Sequence, residues 1–165
     1  MNRQITTFFL GDMLMGLDIL LVKEVYRHMS ISPIPDAPPH LRGLMNLRGR
    51  VITVIDLNVC LNRPPASDIT ESRLLILKTQ KEIRNYKNME YLEDVCVGDD
   101  IVGFLIDRMD DVLTVEEKDI LPVPSNIVDI DEGLMTGVVR QGDQLVILLD
   151  VTAVLELVMN ARSEK

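Results

Sequence analysis

The sequence predicts an all-β chain of barrel type in two similar subdomains, finished by one C-terminal helix. Three observations carry this. The chain repeats itself: Gly11-Asp12-x-x-x-Gly16 recurs as Gly98-Asp99-x-x-x-Gly103, Glu24-Val25 as Asp111-Val112, and Pro33-Ile34-Pro35 as Pro122-Val123-Pro124. Asp56 stands 13 positions after Gly43 and Asp150 stands 13 after Gly137, while the offset between the halves drifts only from 87 to 94. Duplication of one β-rich unit accounts for this pattern and implies two similar subdomains, at about residues 1–61 and 73–150. Short apolar runs rich in Val, Ile and Leu, each bounded by Gly, Pro or Asp, read as strands. Near the end, apolar residues take the spacing of one helical face.

In chain order, Ile5 to Leu10 is a strand leading into a Gly11-Asp12 turn, and Leu14 to Val25 continues extended. Leu17, Leu20, Leu21 and Val25 also fit one helical face. The repeat partner Val102 to Val112, with its clustered β-branched residues, favours strand. Asp36 to Gly43 predicts a single helical turn, capped by Asp36, with Pro38 in its first turn and Gly43 ending it. Leu41 to Leu57 follows as strand, bend at Arg48-Gly49-Arg50, and strand, with Val51 to Ile55 β-branched and read as buried. Residues 62–72, polar and Pro-containing, separate the units. Arg73 to Lys78 restarts with a strand. Gln80 to Asp94, holding seven charged residues, is an insert read as a long solvated loop, or as a short helix or accessory contact surface. Val95 to Val97 then reaches the Gly98-Asp99 turn. Val151, Val154, Leu155 and Val158 share one face of a helix over residues 152–161, with 162–165 fraying.

A hydrophobic content of 47% in 165 residues supports a packed interior, and the scarcity of aromatics makes that interior aliphatic. No apolar run approaches the roughly 18 residues of a membrane span, and the N-terminal run is too short for a signal peptide. Cys60 and Cys96, without CxxC spacing, read as free cytosolic thiols, so a soluble cytoplasmic protein is expected. The net charge of −9 is uneven: residues 1–70 carry 7 Lys/Arg against 6 Asp/Glu, the remainder 10 against 20. That sign, with no clustered aromatics for base stacking, argues against the alternative of a small-barrel nucleic-acid binder. An acidic surface either keeps the protein soluble or steers a partner with a basic face.

Catalysis finds little support. His28 and His40 read as surface histidines in loops, with no paired nucleophile motif. Asp129-Ile130-Asp131-Glu132-Gly133 lacks the remaining positions of a calcium loop, so no metal or cofactor is expected there. A hydrolase built on the acidic second half would need a perturbed carboxylate pair in a pocket. Arg48 stands out instead, because Gly142 occupies its place in the second unit. It is either a solvated turn residue or an arginine held against a carboxylate so as to present an ordered edge. Glu24 is the natural partner.

Asn46-Leu47-Arg48-Gly49-Arg50-Val51-Ile52-Thr53-Val54-Ile55-Asp56-Leu57 resembles the signature of the CheW-like domain. The resemblance extends through Gly11-Asp12 with Gly16-Leu17-Asp18, Val22 to Val25, Pro33 to Pro35, Asp107 to Leu113, and Thr136-Gly137 to Leu149-Asp150, which is nearly the whole chain. It implies two SH3-like five-stranded barrels around a shared core, no catalysis and no cofactor. The implied role is an adaptor coupling chemoreceptors to a CheA-type histidine kinase, a protein–protein interaction scaffold for chemotaxis signal transduction. It implies a kinase face at Ile19 and Val22, meeting the kinase regulatory domain. A receptor face is implied at Gly43, Leu44, Leu47 and Arg48, taking the receptor's cytoplasmic helical tip into a groove, and a Glu24–Arg48 salt bridge. Thr53 stands where the family usually has Pro, Asn58 where Arg commonly follows Asp-Leu, and Thr6 where an apolar kinase-side residue is frequent. The 80–94 insert exceeds the usual turn.

Overall fold

The computed structural model describes residues 2–27, 30–65, 71–86, 95, 97–124 and 131–163, with side chains of the last helix through Val158. The first unit gives strands β1 (Asn2–Leu10), β2 (Met13–Asp18), β3 (Val22–Tyr26), β4 (Leu41–Leu47) and β5 (Arg50–Asp56), then a short helix α1 (Leu57–Cys60). The second gives β6 (Arg73–Leu77), a short helix α2 (Gln80–Ile83), β7 (Val102–Ile106), β8 (Arg108–Glu116), β9 (Met135–Gln141) and β10 (Gln144–Leu149). Helix α3 (Val151–Ser163) follows. The fold is therefore mostly β, as expected, with two five-stranded sheets and a C-terminal helix. Among the described residues no helix is long and apolar enough to cross a membrane.

The repeats of the sequence and the sheets of the structure divide the chain differently. One sheet, A, runs β8-β1-β2-β10-β9 and the other, B, runs β3-β6-β7-β5-β4. Replacing each strand by its repeat equivalent converts one order into the other. Each sheet thus takes two strands from one unit and three from the other, joined by an antiparallel pair, β1 with β8 or β3 with β6, and by a parallel pair, β2 with β10 or β5 with β7. The halves exchange strands, so neither sheet is complete without both.

Each sheet curls until the chain leaving one edge meets the opposite edge. Ser32, six residues after β3, bridges Leu44 of β4, and Leu121, five residues after β8, bridges Val138 of β9. In both cases the bridging residue immediately precedes the repeated Pro-x-Pro, which holds it extended. Glycine lets the backbones approach. A Cβ on Gly43 would lie 2.1 Å from the Ser32 carbonyl oxygen, and one on Gly137 would lie 2.8 Å from that of Leu121.

Three hydrophobic clusters follow from this arrangement. Met45, Leu47, Ile52, Val54, Leu74, Ile76 and Leu105 fill the hollow of sheet B, while Ile5, Leu14, Val115, Val139, Val146 and Leu148 fill that of sheet A. The largest cluster lies between the sheets and takes residues from both units and from α3. Strand β6 is apolar without alternation because both its faces are buried: Leu74 and Ile76 enter the hollow of sheet B, Leu75 and Leu77 the shared core. Val151, Val154, Leu155 and Val158 of α3 are all buried there, on the face their spacing predicts. The helix begins one residue earlier than expected and continues through Ser163.

Some expectations fail for local reasons. The single helical turn over Asp36 to Gly43 is absent. Consecutive prolines at 38 and 39 disfavour helical conformation in the residues before them, and Asp36 itself takes φ +61°. The segment makes two tight turns instead, and Gly43 lies inside β4 at an irregularity in the β4–β5 register, with φ +145°. Gln80 holds Val95 and Val97, accepting from the Val97 N–H and donating to the Val95 carbonyl. The extended stretch Leu14 to Val25 is broken by a single 3-10 turn, Ile19–Leu21, capped by Asp18. Val51 is 61% exposed rather than buried, because it sits beside the hairpin tip beyond the hollow. His40 is buried rather than a surface residue. His28, Cys96 and Asp129 lie outside the described residues, as does the 87–94 part of the insert.

Candidate functional site

The β4–β5 hairpin closes with a two-residue turn. Arg48 at φ +54° and Gly49 at φ +81° give the paired left-handed conformation that matches strand twist. The Gly49 N–H donates to Asn46 Oδ1 at 3.0 Å, which fixes the turn locally. From this tip the Arg48 guanidinium reaches Glu24 on β3 through two parallel contacts, Nη1 to Oε2 at 3.1 Å and Nη2 to Oε1 at 3.2 Å. Strands β3 and β4 are opposite edges of sheet B, so this pair can form only because the sheet curls. It is a second clasp beside the Ser32–Leu44 bridge.

The pair is too wet to matter much for stability. The Arg48 side chain is 69% exposed and that of Glu24 26%, the range in which an ion pair contributes about 0–1 kcal/mol. Its bidentate geometry nevertheless holds a planar cation in one orientation at an exposed tip.

The other residues singled out from sequence separate by burial. Leu44 is 37% exposed and Val22 and Ile19 are half-buried, Val22 leaning on the shared core. Leu47 belongs to the hollow of sheet B and Gly43 is enclosed by the Ser32 backbone, so neither offers a side chain to a partner. Leu44 and Arg48 are the members of that stretch that face outward. Neighbouring surface residues not anticipated from sequence are Val25, Lys23, Arg50 and Val51.

The insert begins at this site. Thr79 and Glu82 form a capping box that starts α2, and Glu82 also meets Lys23 of β3 at 3.1 Å. Burial alone would raise the Glu82 pKa. Hydrogen bonding from Thr79 and the Lys23 ammonium outweigh it and hold the carboxyl below its usual value. The Thr-x-x-Glu spacing carried this signal in the sequence. Lys78, next to the cap, lies over the Tyr86 ring at 4.7 Å.

The family departures have local explanations. Thr53 donates its N–H to the Ile101 carbonyl at 3.0 Å, a bond proline could not make. Asn58 is buried and donates to Asp107 Oδ1 at 2.9 Å, while Asp107 Oδ2 accepts from the Gly11 N–H; together they tie the two units to each other. Thr6 is buried within β1.

Among the described residues no three His, Cys, Asp or Glu side chains are placed to hold a metal ion. Asp56, fully buried, caps α1, and Asp150 caps α3 in the same place of the repeat. Burial raises the Asp56 pKa, opposed by the Val59 N–H and by Arg42, whose Nη1 is 3.7 Å away. Burial, and then Asp56, push the Cys60 thiol up to about 12, which keeps it un-ionised. An apolar groove of about 330 Å³ runs between Ile55 and Val102 of sheet B and Leu155 and Val158 of α3, with Asp99 and Asp100 on its rim.

Comparison with known proteins agrees with this architecture. A family model described as the CheW-like domain matches residues 4–159. The chemotaxis protein CheW of Treponema pallidum is 33% identical over 151 residues, covering 90% of this chain and 79% of that protein. That of Bacillus subtilis is 26% identical over 155 residues, covering 94% and 88%. The crystal structure of the scaffolding protein TtCheW from Thermoanaerobacter tengcongensis has a TM-score of 0.75 at 28% identity, covering 93% of this chain and 88% of that one. With two strand-exchanged sheets, a helix in their shared core and this similarity along nearly its whole length, the chain belongs to the CheW-like family.

Proposed function

We propose that this protein is a non-catalytic cytoplasmic adaptor of bacterial chemotaxis. It joins the cytoplasmic helical tips of chemoreceptors to the regulatory domain of a CheA-type histidine kinase. The observation that carries the reading is the bidentate Glu24–Arg48 pair: an ordered cation at an exposed hairpin tip, where it adds little to stability. Leu44 and Arg48 form the receptor side, and Gly43 and Leu47 shape it from within. Ile19 and Val22, at the corner between β2 and β3, form the kinase side. Nucleic acid and membrane insertion have no part in this reading.

The test is calorimetric titration with the regulatory domain of a CheA-type kinase from the same organism, comparing wild type with Val22→Glu after circular dichroism confirms that the variant is folded. Binding by wild type that is lost in the variant supports the kinase face. Equal binding by both removes Val22 from it, and no binding by wild type refutes kinase coupling.

A further inference from the structure

The hairpin carries a second arginine, Arg50, whose side chain has no partner among the described residues. Beside the Glu24–Arg48 pair, the open end of sheet B forms a recess of about 170 Å³. Ile52, Ile76 and Ile101 make its floor, and Lys23, Glu24, Arg48 and Arg50 its rim. That volume is below the roughly 300–1,000 Å³ of a small-molecule site and suits a single side chain.

The rim charges resolve into pairs with one left over. Lys23 meets Glu82 and Arg48 meets Glu24. Arg50 is exposed and has no ion-pair or hydrogen-bond partner among the described residues. In the second unit Gln144 occupies its place, so the hairpin itself needs no cation there. An uncompensated guanidinium beside an apolar floor is complementary to a carboxylate that arrives with an apolar neighbour. Covering the floor excludes water, which strengthens the charge contact.

We propose that Arg50 binds a carboxylate of the docked receptor helix. The helix then presents Glu or Asp three or four positions from the Leu, Val or Met that seats on the isoleucine floor. This rests on the reading of the hairpin as the receptor-side face.

The test uses a labelled cytoplasmic helical fragment of a chemoreceptor from the same organism, titrated with wild type, Arg50→Gln and Arg50→Glu at low and high salt. Arg50 is exposed, so both variants fold, which thermal melting checks. Arg50→Gln weakens binding about threefold to tenfold and Arg50→Glu more, with the differences shrinking as salt rises. Kinase-domain binding is unchanged. Exchanging the responsible receptor acid for lysine restores affinity to Arg50→Glu. Equal affinity of wild type and both variants for the fragment overturns the proposal while leaving receptor docking intact. Failure of wild type to bind the fragment at all refutes the receptor reading itself, and the proposal with it.

Discussion

Substituting alanine at three glycines separates close backbone approach from backbone conformation. At Gly43 both oppose a side chain: φ is +145°, and the new Cβ would lie 2.1 Å from the Ser32 carbonyl oxygen and 2.8 Å from its carbon. Backbone cannot move aside as a side chain does, so the Ser32–Leu44 bridge must open. Its two hydrogen bonds, 2.8 and 2.9 Å long, contribute about 0.5–1.5 kcal/mol each, and a strained φ adds about 1–3. Gly43→Ala is therefore expected to cost about 3 kcal/mol or more, a large part of a typical stability of about 5–15. At Gly137 the approach is similar, with the Leu121 oxygen and Ile120 Cγ2 both 2.8 Å away, but no positive φ is involved. About 2 kcal/mol is expected there, from the Leu121–Val138 bonds alone. At Gly49 nothing lies within 4 Å and only φ +81° opposes the substitution, which predicts about 1–2 kcal/mol. Urea denaturation with an unchanged m-value measures all three. If Gly43→Ala is no worse than Gly49→Ala, the closing bridge does not hold the curl of sheet B.

Val154→Ala, at a fully buried position of the shared core, is expected to lower stability by about 2 kcal/mol, whereas Leu157→Ala, on the exposed face of the same helix, changes it by less than about 0.5; chemical denaturation of both tests whether α3 fills the core as described. Glu82 has a folded pKa below its unfolded value, so its contribution is present above the unfolded pKa and is lost as pH falls through the folded one. A pH series of melting temperatures should show that loss on the acid side, and Glu82→Gln or Lys23→Ala should reduce it. Asp56 behaves oppositely. Its raised folded pKa means that acidification first relieves a buried charge, so at neutral pH Asp56→Asn, which keeps a capping oxygen, costs less stability than Asp56→Ala.

Much of this was legible in the sequence because the repeated residues do the same work twice. Gly43 and Gly137 admit a closing bridge, Asp56 and Asp150 each cap a helix, and Pro33 and Pro122 each follow a bridging residue. The Glu24–Arg48 pair was legible through its asymmetry, Arg48 standing where the other unit has Gly142. The exchange of strands was not legible. A repeat reveals that two units are alike, whereas the pairing of β2 with β10 and of β5 with β7 depends on contacts far apart in the chain. Burial at Leu47 was hidden for a related reason. The apolar residues of a hairpin arm do not reveal which face the curl encloses, and Leu44 rather than Leu47 emerges on the surface.

The proposed role of this protein is to couple receptor to kinase. It is tested most directly by reconstituting receptor cytoplasmic fragments on vesicles with a CheA-type kinase from the same organism, then measuring kinase autophosphorylation and co-sedimentation with and without this protein. If it does, the kinase sediments with receptor and comes under its control only when the protein is present, and Arg48→Ala weakens this effect while leaving the melting temperature nearly unchanged. Kinase activity and sedimentation that stay the same whether or not the protein is added would contradict it.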